Sequence, residues 1–134
     1  MMYENNFYRT SDGALDIEFL FVDLGPNDGW RAYILTDINY KRCSGNRSDS
    51  CTDIHRLTES NETRIQKIRR FIQNTRDNSP ANSPIHYICW TEKINDLDKL
   101  RNIAKAWSEI TAYYIRNGGN FETIQKTLVT RGII

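Results

Sequence analysis

The sequence predicts an α+β domain, in which an antiparallel sheet of three to five strands, built around a β-hairpin, carries two to three helices packed on one face. Two observations lead to this prediction. Apolar and polar side chains alternate over residues 15–40 on either side of a cluster of turn-forming residues, which indicates a hairpin. Apolar side chains then recur at helical spacing over residues 60–76 and 96–117, which indicates two amphipathic helices.

The hairpin is the most clearly marked unit of the chain. Its first strand, residues 15–22, places four apolar side chains on one face: Leu15, Ile17, Phe19 and Phe21. The turn formers between Gly25 and Gly29 follow, and residues 30–40 are the predicted return strand. Residues 6–9 predict a short edge strand before the hairpin.

The next part of the chain changes character. Residues 41–52 are polar and small and show no periodicity, so we expect a mobile loop there. Residues 53–57 are compatible with a short strand. The helix over 60–76 begins at Ser60 or Asn61 and has an apolar stripe formed by Ile65, Ile68, Phe71 and Ile72. We expect its basic residues on the opposite, solvent-exposed face.

The remaining elements are a strand and two helices. Residues 85–90 are rich in β-forming side chains and predict a buried strand. Asn95 or Asp96 caps the helix over 96–117, and Gly118 and Gly119 end it. Asn120 caps a short final helix. Ile133 and Ile134 must then dock either on a second copy of the chain, giving a homo-oligomer, or on the chain's own helices.

Length and charge limit the classes of function. The 134 residues predict a single domain spanning 1–134. Eighteen Lys and Arg side chains against 17 Asp and Glu give a net charge of +1, which argues against bulk binding of nucleic acid and against an anionic membrane surface. The chain has no apolar run of membrane-spanning length, and its polar start lacks the features of a signal peptide, so we expect a cytoplasmic protein.

The three cysteines and two histidines suggest metal or thiol chemistry only weakly. The odd number of cysteines fits reduced thiols. Cys51, His55, His86 and Cys89 have spacings that would suit zinc. However, His86 and Cys89 should point to opposite faces of one strand, so we predict no metal site. No catalytic signature surrounds Cys89, which we expect to be a buried thiol, and we predict neither a catalytic residue nor a cofactor.

Basic and aromatic side chains form the more informative constellation. Five lie within or beside the polar loop and two lie on the strand over 85–90: Tyr40, Arg42, Arg47, His55 and Arg56, with Tyr87 and Trp90. Arginine supplies forked donors for phosphate, and aromatic rings stack on a base, so these seven residues predict a site for a small anionic, nucleotide-like ligand. The alternative is that the aromatic rings belong to the core and the arginines to ordinary solvated surface.

These observations favour a non-enzymatic protein that sequesters a small anionic ligand. The chain has 16 Ile and 13 Asn against 6 Ala, a bias typical of AT-rich genomes, so we expect an accessory factor of a phage or mobile element. The alternative is a protein-interaction module or inhibitor that docks on a host protein. A cysteine- or zinc-dependent enzyme is the third hypothesis and the one that the sequence favours least.

Overall fold

The sheet has five strands in the computed structural model, which describes residues 2–36, 38, 57–60, 62–73, 85–90 and 92–134. The strands are β1 (Tyr3–Arg9), β2 (Asp16–Asp23), β3 (Trp30–Ile34), β4 (Leu57–Ser60) and β5 (Ile85–Ile88). The helices described are α1 (Thr63–Gln73), α2 (Leu97–Asn117) and α3 (Phe121–Thr130).

All neighbouring strands run antiparallel, in the order β1-β2-β3-β5-β4. The hairpin pairs Phe19 with Ile34 and Asp23 with Trp30, so the turn-forming segment joins β2 to β3 as its composition predicts. In β5, Tyr87 pairs with Tyr33 on one side and with Thr58 on the other. The predicted α+β class with an antiparallel hairpin sheet and up to three helices is therefore confirmed.

The helices divide between the two faces of the sheet, and this corrects the expectation that they pack on one face. Side chains of β2 alternate, and both sets are buried. Phe19 and Phe21 pack with Trp107 of α2, whereas Leu20 and Val22 belong to a separate cluster with Ile65 and Ile72 of α1. A strand buried on both faces needs cover from both sides, and α1 provides it on the second face.

Several boundaries differ from the sequence-based predictions. Strand β1 is longer than residues 6–9, β3 ends at Ile34 instead of residue 40, and β4 begins at Leu57, so that most of the strand predicted over 53–57 lies outside the described residues. Helix α1 is shorter than 60–76. Phe71 is 69% exposed, although the apolar stripe predicted that it would be buried. Arg69 is buried, although the pattern predicted a solvent-exposed face for the basic residues.

Helix α2 begins and ends where the sequence predicts, and α3 begins directly after its predicted cap, Asn120. The side chain of Asp96 accepts a hydrogen bond from the Asp98 amide, and Asn120 accepts one from the Thr123 amide, so each residue caps its helix. Ile133 and Ile134 pack on a cluster formed by α2 and α3, which is the second of the two docking alternatives. Among the described residues, no helix is long and apolar enough to cross a bilayer.

Candidate functional site

The seven residues predicted to form the ligand site fall into two groups, those that the structure describes and those that it does not. Tyr87 and Trp90 lie in the described part of the chain, on opposite sides of the sheet. The other five fall outside the described residues: Tyr40, Arg42, Arg47, His55 and Arg56. The predicted loop over 41–52 falls outside them as well.

On the face covered by α1, the ring of Tyr87 is already engaged by two neighbours from β3. The guanidinium of Arg31 lies 4.5 Å above the centre of the Tyr87 ring. Tyr33 meets the same ring edge-on, with ring centres 5.5 Å apart. Because both contacts come from the protein itself, Tyr87 acts here as a packing residue, half-buried against the cluster that contains Leu20 and Ile65.

Glu62, which directly precedes α1, ties this face together. Its carboxylate accepts hydrogen bonds from the Tyr33 hydroxyl at 2.7 Å and the Ser60 hydroxyl at 2.9 Å, and Arg31 and Arg64 lie 3.8 and 3.3 Å away. Burial opposes its ionisation, but these donors and charges outweigh burial and hold the pKa of Glu62 below its ordinary value. Burial and the bond to Glu62 raise the pKa of Tyr33. The charges of Arg31 and Arg64 are therefore already neutralised in part by the Glu62 carboxylate.

Trp90, in contrast, lines a cavity on the other side of the sheet. The cavity lies between the end of β5 and helices α2 and α3, and its volume is about 180 Å³. Its wall is almost entirely apolar. The lining residues are Ile88, Trp90, Lys99, Asn102, Ile103, Ala106, Trp107, Ile110, Phe121 and Gln125. We call this space the Trp90 cavity.

The Trp90 cavity combines the properties of a small-ligand site. Three aromatic side chains line it, and Trp90 itself is 39% exposed, so one ring borders both the cavity and the solvent. Lys99, Asn102 and Gln125 are exposed residues of the lining and supply the polar groups at its mouth. A mostly apolar recess with a few polar groups is the usual construction of a binding site for an organic molecule.

The thiol and imidazole groups in the described residues do not converge. Strand β5 ends at Ile88, so Cys89 lies just beyond it, and both Cys89 and His86 are exposed. The expectation of a buried Cys89 is therefore wrong: the strand ends at Ile88, and Cys89, beyond its end, is exposed to solvent. In the part of the chain that the structure describes, no three His, Cys, Asp or Glu side chains are grouped so as to hold a metal ion.

Sequence reasoning identified Trp90 but missed the residues that surround it. Asn102 and Ala106 lie one helical turn apart on α2, and Gln125 comes from α3, so no local pattern connects them with Trp90. The amphipathic stripes of α2 and α3 signalled only that these helices pack. The cavity arises where the two helices and the end of β5 meet, which is a property of the tertiary arrangement.

Comparisons with known proteins give no functional assignment. No protein-family model matches the chain, and neither a curated protein nor a solved structure matches it significantly. A function must therefore be argued from the chemistry of the site.

Proposed function

We propose that this chain is a non-enzymatic binding protein for a small anionic ligand that carries an aromatic ring, as a nucleotide does, and that the ring occupies the Trp90 cavity. The observation that carries the proposal is the cavity itself, which is open, apolar and bordered by a half-exposed tryptophan. An exposed tryptophan beside an apolar recess offers a stacking face that the core does not use.

The size of the cavity favours a ring and excludes a whole nucleotide. An apolar cavity of about 150 Å³ is large enough to hold benzene, and sites for complete drug-sized ligands start at about 300 Å³. The Trp90 cavity, at about 180 Å³, lies between these values. We therefore place only the ring inside, between Trp90 and Phe121, and the sugar and phosphate outside the mouth.

The charge at the mouth suits an anionic group. The ammonium of Lys99 is 3.8 Å from the Glu92 carboxylate, and both side chains are at least half exposed. An ion pair of this kind contributes little stability, so Lys99 can exchange Glu92 for a ligand phosphate at small cost. Asn102 and Gln125 carry amide groups, which donate and accept hydrogen bonds and so suit the polar edge of a base.

One observation favours the alternative of a protein-interaction module docking on a host protein. Of the large apolar side chains exposed in the described residues, three lie together at the start of the chain: Met2, Tyr3 and Phe7. Strand β1 is also one of the two edge strands of the sheet in the described part of the chain, and an edge strand is a template for pairing with another chain. We rank this second because a docking surface of this kind leaves the Trp90 cavity without a role.

The test is a thermal-denaturation screen with adenosine, AMP, cyclic AMP, ATP and the pyrimidine counterparts. A ligand present at about 100 times its dissociation constant adds about 2.7 kcal/mol of stability, which a melting curve resolves. We expect at least one nucleotide to raise the melting temperature. Trp90→Ala should then weaken binding by roughly tenfold or more, since stacking of a base on an aromatic ring is worth about 1–3 kcal/mol.

Two controls separate the ring from the charge. Phe71→Ala removes another exposed aromatic ring, far from the cavity lining, and should leave the affinity unchanged. Lys99→Ala should reduce the preference for AMP over adenosine, whereas Lys105→Ala, on the same helix but outside the lining, should not. If no nucleotide raises the melting temperature, or if Trp90→Ala binds as tightly as the wild type, the proposal is wrong and the interaction module becomes the better hypothesis.

A further inference from the structure

A second cavity lies on the far side of α2, between the β1–β2 turn and the C-terminal ends of α2 and α3. Its volume is about 300 Å³, which is in the range of sites for small organic ligands. Ser11 and Asp12 line it from the turn, and Glu109, Tyr113 and Arg116 from α2. Arg131, just after α3, completes the charged part of the wall, and Leu128 and Ile133 form an apolar part.

Glu109 is a buried carboxylate in this wall, with only 4% of the residue exposed. Both of its oxygens accept the Ser11 amide, at 2.7 and 3.0 Å, and the Tyr8 hydroxyl lies 3.5 Å away. In the described part of the chain, no Lys, Arg or His nitrogen lies within 4 Å of it. The hydrogen bonds from the Ser11 amide and the Tyr8 hydroxyl offset part of the cost of burying this carboxylate, and a cation bound beside it would offset more.

Arg131 supplies the opposite charge in the same wall. Its guanidinium lies 5.8 Å from the centre of the Tyr113 ring, and within the described residues it has no carboxylate partner. The other acid of the wall, Asp12, is taken by Arg116, whose guanidinium is 2.8 Å away. The cavity thus presents one carboxylate, Glu109, and one guanidinium, Arg131, that have no oppositely charged partner among the residues that the structure describes.

From this charge pattern we infer a second binding site, for a compact zwitterion of the amino-acid type. The ligand ammonium binds the Glu109 carboxylate, and the ligand carboxylate binds the Arg131 guanidinium, which matches carboxylate geometry with two parallel donors. Leu128 and Ile133 accommodate an aliphatic side chain. The inference does not depend on the Trp90 cavity, because none of its lining residues belongs to this wall.

The experiment titrates each standard free amino acid into the full chain labelled with nitrogen-15, and follows the Ser11 amide signal, since that amide binds Glu109 directly. We expect a saturable shift with at least one aliphatic amino acid below about 10 mM, within the millimolar range of weak sites. For leucine, the matched analogues are 3-methylbutylamine, which lacks the carboxylate, and 4-methylpentanoate, which lacks the ammonium. Each should bind roughly tenfold more weakly than leucine, or weaker still.

Two variants assign the charges. Glu109→Gln keeps an acceptor for the Ser11 amide but removes the negative charge, and Arg131→Gln changes an exposed residue and so leaves the fold intact. Each should weaken amino-acid binding by roughly tenfold or more, and Lys126→Gln, exposed on α3 outside the wall, should not. If Glu109→Gln does not fold, Arg131→Gln alone decides the matter. The inference fails if no amino acid shifts the Ser11 amide, if either analogue binds as tightly as leucine, or if Arg131→Gln binds like the wild type.

Discussion

The ring of Trp107 on α2 meets the ring of Phe19 on β2 edge-on, with centres 6.2 Å apart and planes at 80°. Both residues are 1% exposed, and Phe21 stacks on the other side of Phe19 at 5.7 Å. This contact joins the hairpin to the longest described helix. Phe19, Phe21 and Trp107 therefore lie together in the main core.

We predict that Trp107→Ala lowers the free energy of unfolding by about 3–5 kcal/mol, the cost of emptying a buried site for a large aromatic ring. Urea denaturation followed by circular dichroism measures this change without relying on tryptophan fluorescence. Phe71→Ala, which removes an aromatic ring that is 69% exposed, should stay within about 0.5 kcal/mol of the wild type. Equal effects of the two changes would contradict the assignment of Trp107 to the core.

We predict that any substitution of Gly29, at the end of the hairpin turn, destabilises the fold. Its φ is +70°, and a Cβ there would lie 2.5 Å from the carbonyl oxygen of Ile94, which accepts the Trp30 amide. Gly13 has nearly the same φ, +72°, but its Cβ would meet only the Arg9 side chain at 3.8 Å. Gly13→Ala should cost about 1–2 kcal/mol for the left-handed backbone alone.

Gly29→Ala should exceed this value by at least about 1 kcal/mol, because a steric overlap with backbone atoms is added to the conformational cost. Thermal or urea unfolding of the two variants side by side gives the difference. Closely similar stabilities would mean that the segment around Ile94 moves away freely and does not brace the turn.

Glu62 should make the protein sensitive to acid. The pKa of Glu62 is held below its ordinary value of 4.5, so the carboxylate stabilises the fold fully above that pH, and the contribution is lost as the pH falls through the lowered pKa. Unfolding measured between neutral pH and about pH 3 should show a shallower acid loss for Glu62→Gln than for the wild type. Tyr33→Phe, which removes the 2.7 Å hydrogen bond, should lie between them. If the stability of Glu62→Gln falls with decreasing pH as steeply as that of the wild type, the Glu62 carboxylate is not the source of the acid sensitivity.

Arg47 in the predicted loop and Arg56 shortly after it provide a test of the sequence-based site. Charge-assisted hydrogen bonds contribute about 1.5–3 kcal/mol each, so Arg47→Ala and Arg56→Ala should weaken nucleotide binding roughly tenfold to a hundredfold. The melting temperature without ligand should hardly change. Calorimetric titration with the best nucleotide from the thermal screen measures the affinities.

The control for these variants comes from the basic helix α1. Arg69 does not serve, because it is buried, whereas Lys67 is exposed. Lys67→Ala should therefore bind the nucleotide like the wild type. A ligand whose affinity falls in Lys67→Ala but is indifferent to Arg47 and Arg56 would place the anion on α1 and not on the loop.

Local patterns predicted the elements well where the signal is short-range. The alternation in β2, the caps Asp96 and Asn120, and the turn before Gly29 all depend on residues close in sequence, and the structure has each of them in place. Phe71 shows the limit of such reasoning. It fits a helical apolar stripe as well as Ile72 does, but α1 covers only part of one sheet face and leaves Phe71 outside the contact.

The candidate sites could not be predicted from the sequence, because they depend on contacts between residues far apart in the chain. Tyr87 and Trp90 are three positions apart and looked like members of one site, yet the sheet separates them, and Arg31 rather than a ligand covers the Tyr87 ring. Glu109 looked like any carboxylate within an amphipathic helix. Only the approach of the β1–β2 turn buries it against the Ser11 amide.

The sequence by itself determined the antiparallel hairpin, the amphipathic helices and the caps at Asp96 and Asn120, because periodicity and capping are properties of neighbouring residues. Tertiary structure alone decided that α1 and α2 cover opposite faces of the sheet, where the two cavities open, and which charges are left without partners. Those features depend on residues far apart in the chain: the Ser11 amide donates to Glu109, and Trp90 and Phe121 line one cavity. No local pattern encodes such a meeting, because it results from the packing of whole helices against the sheet.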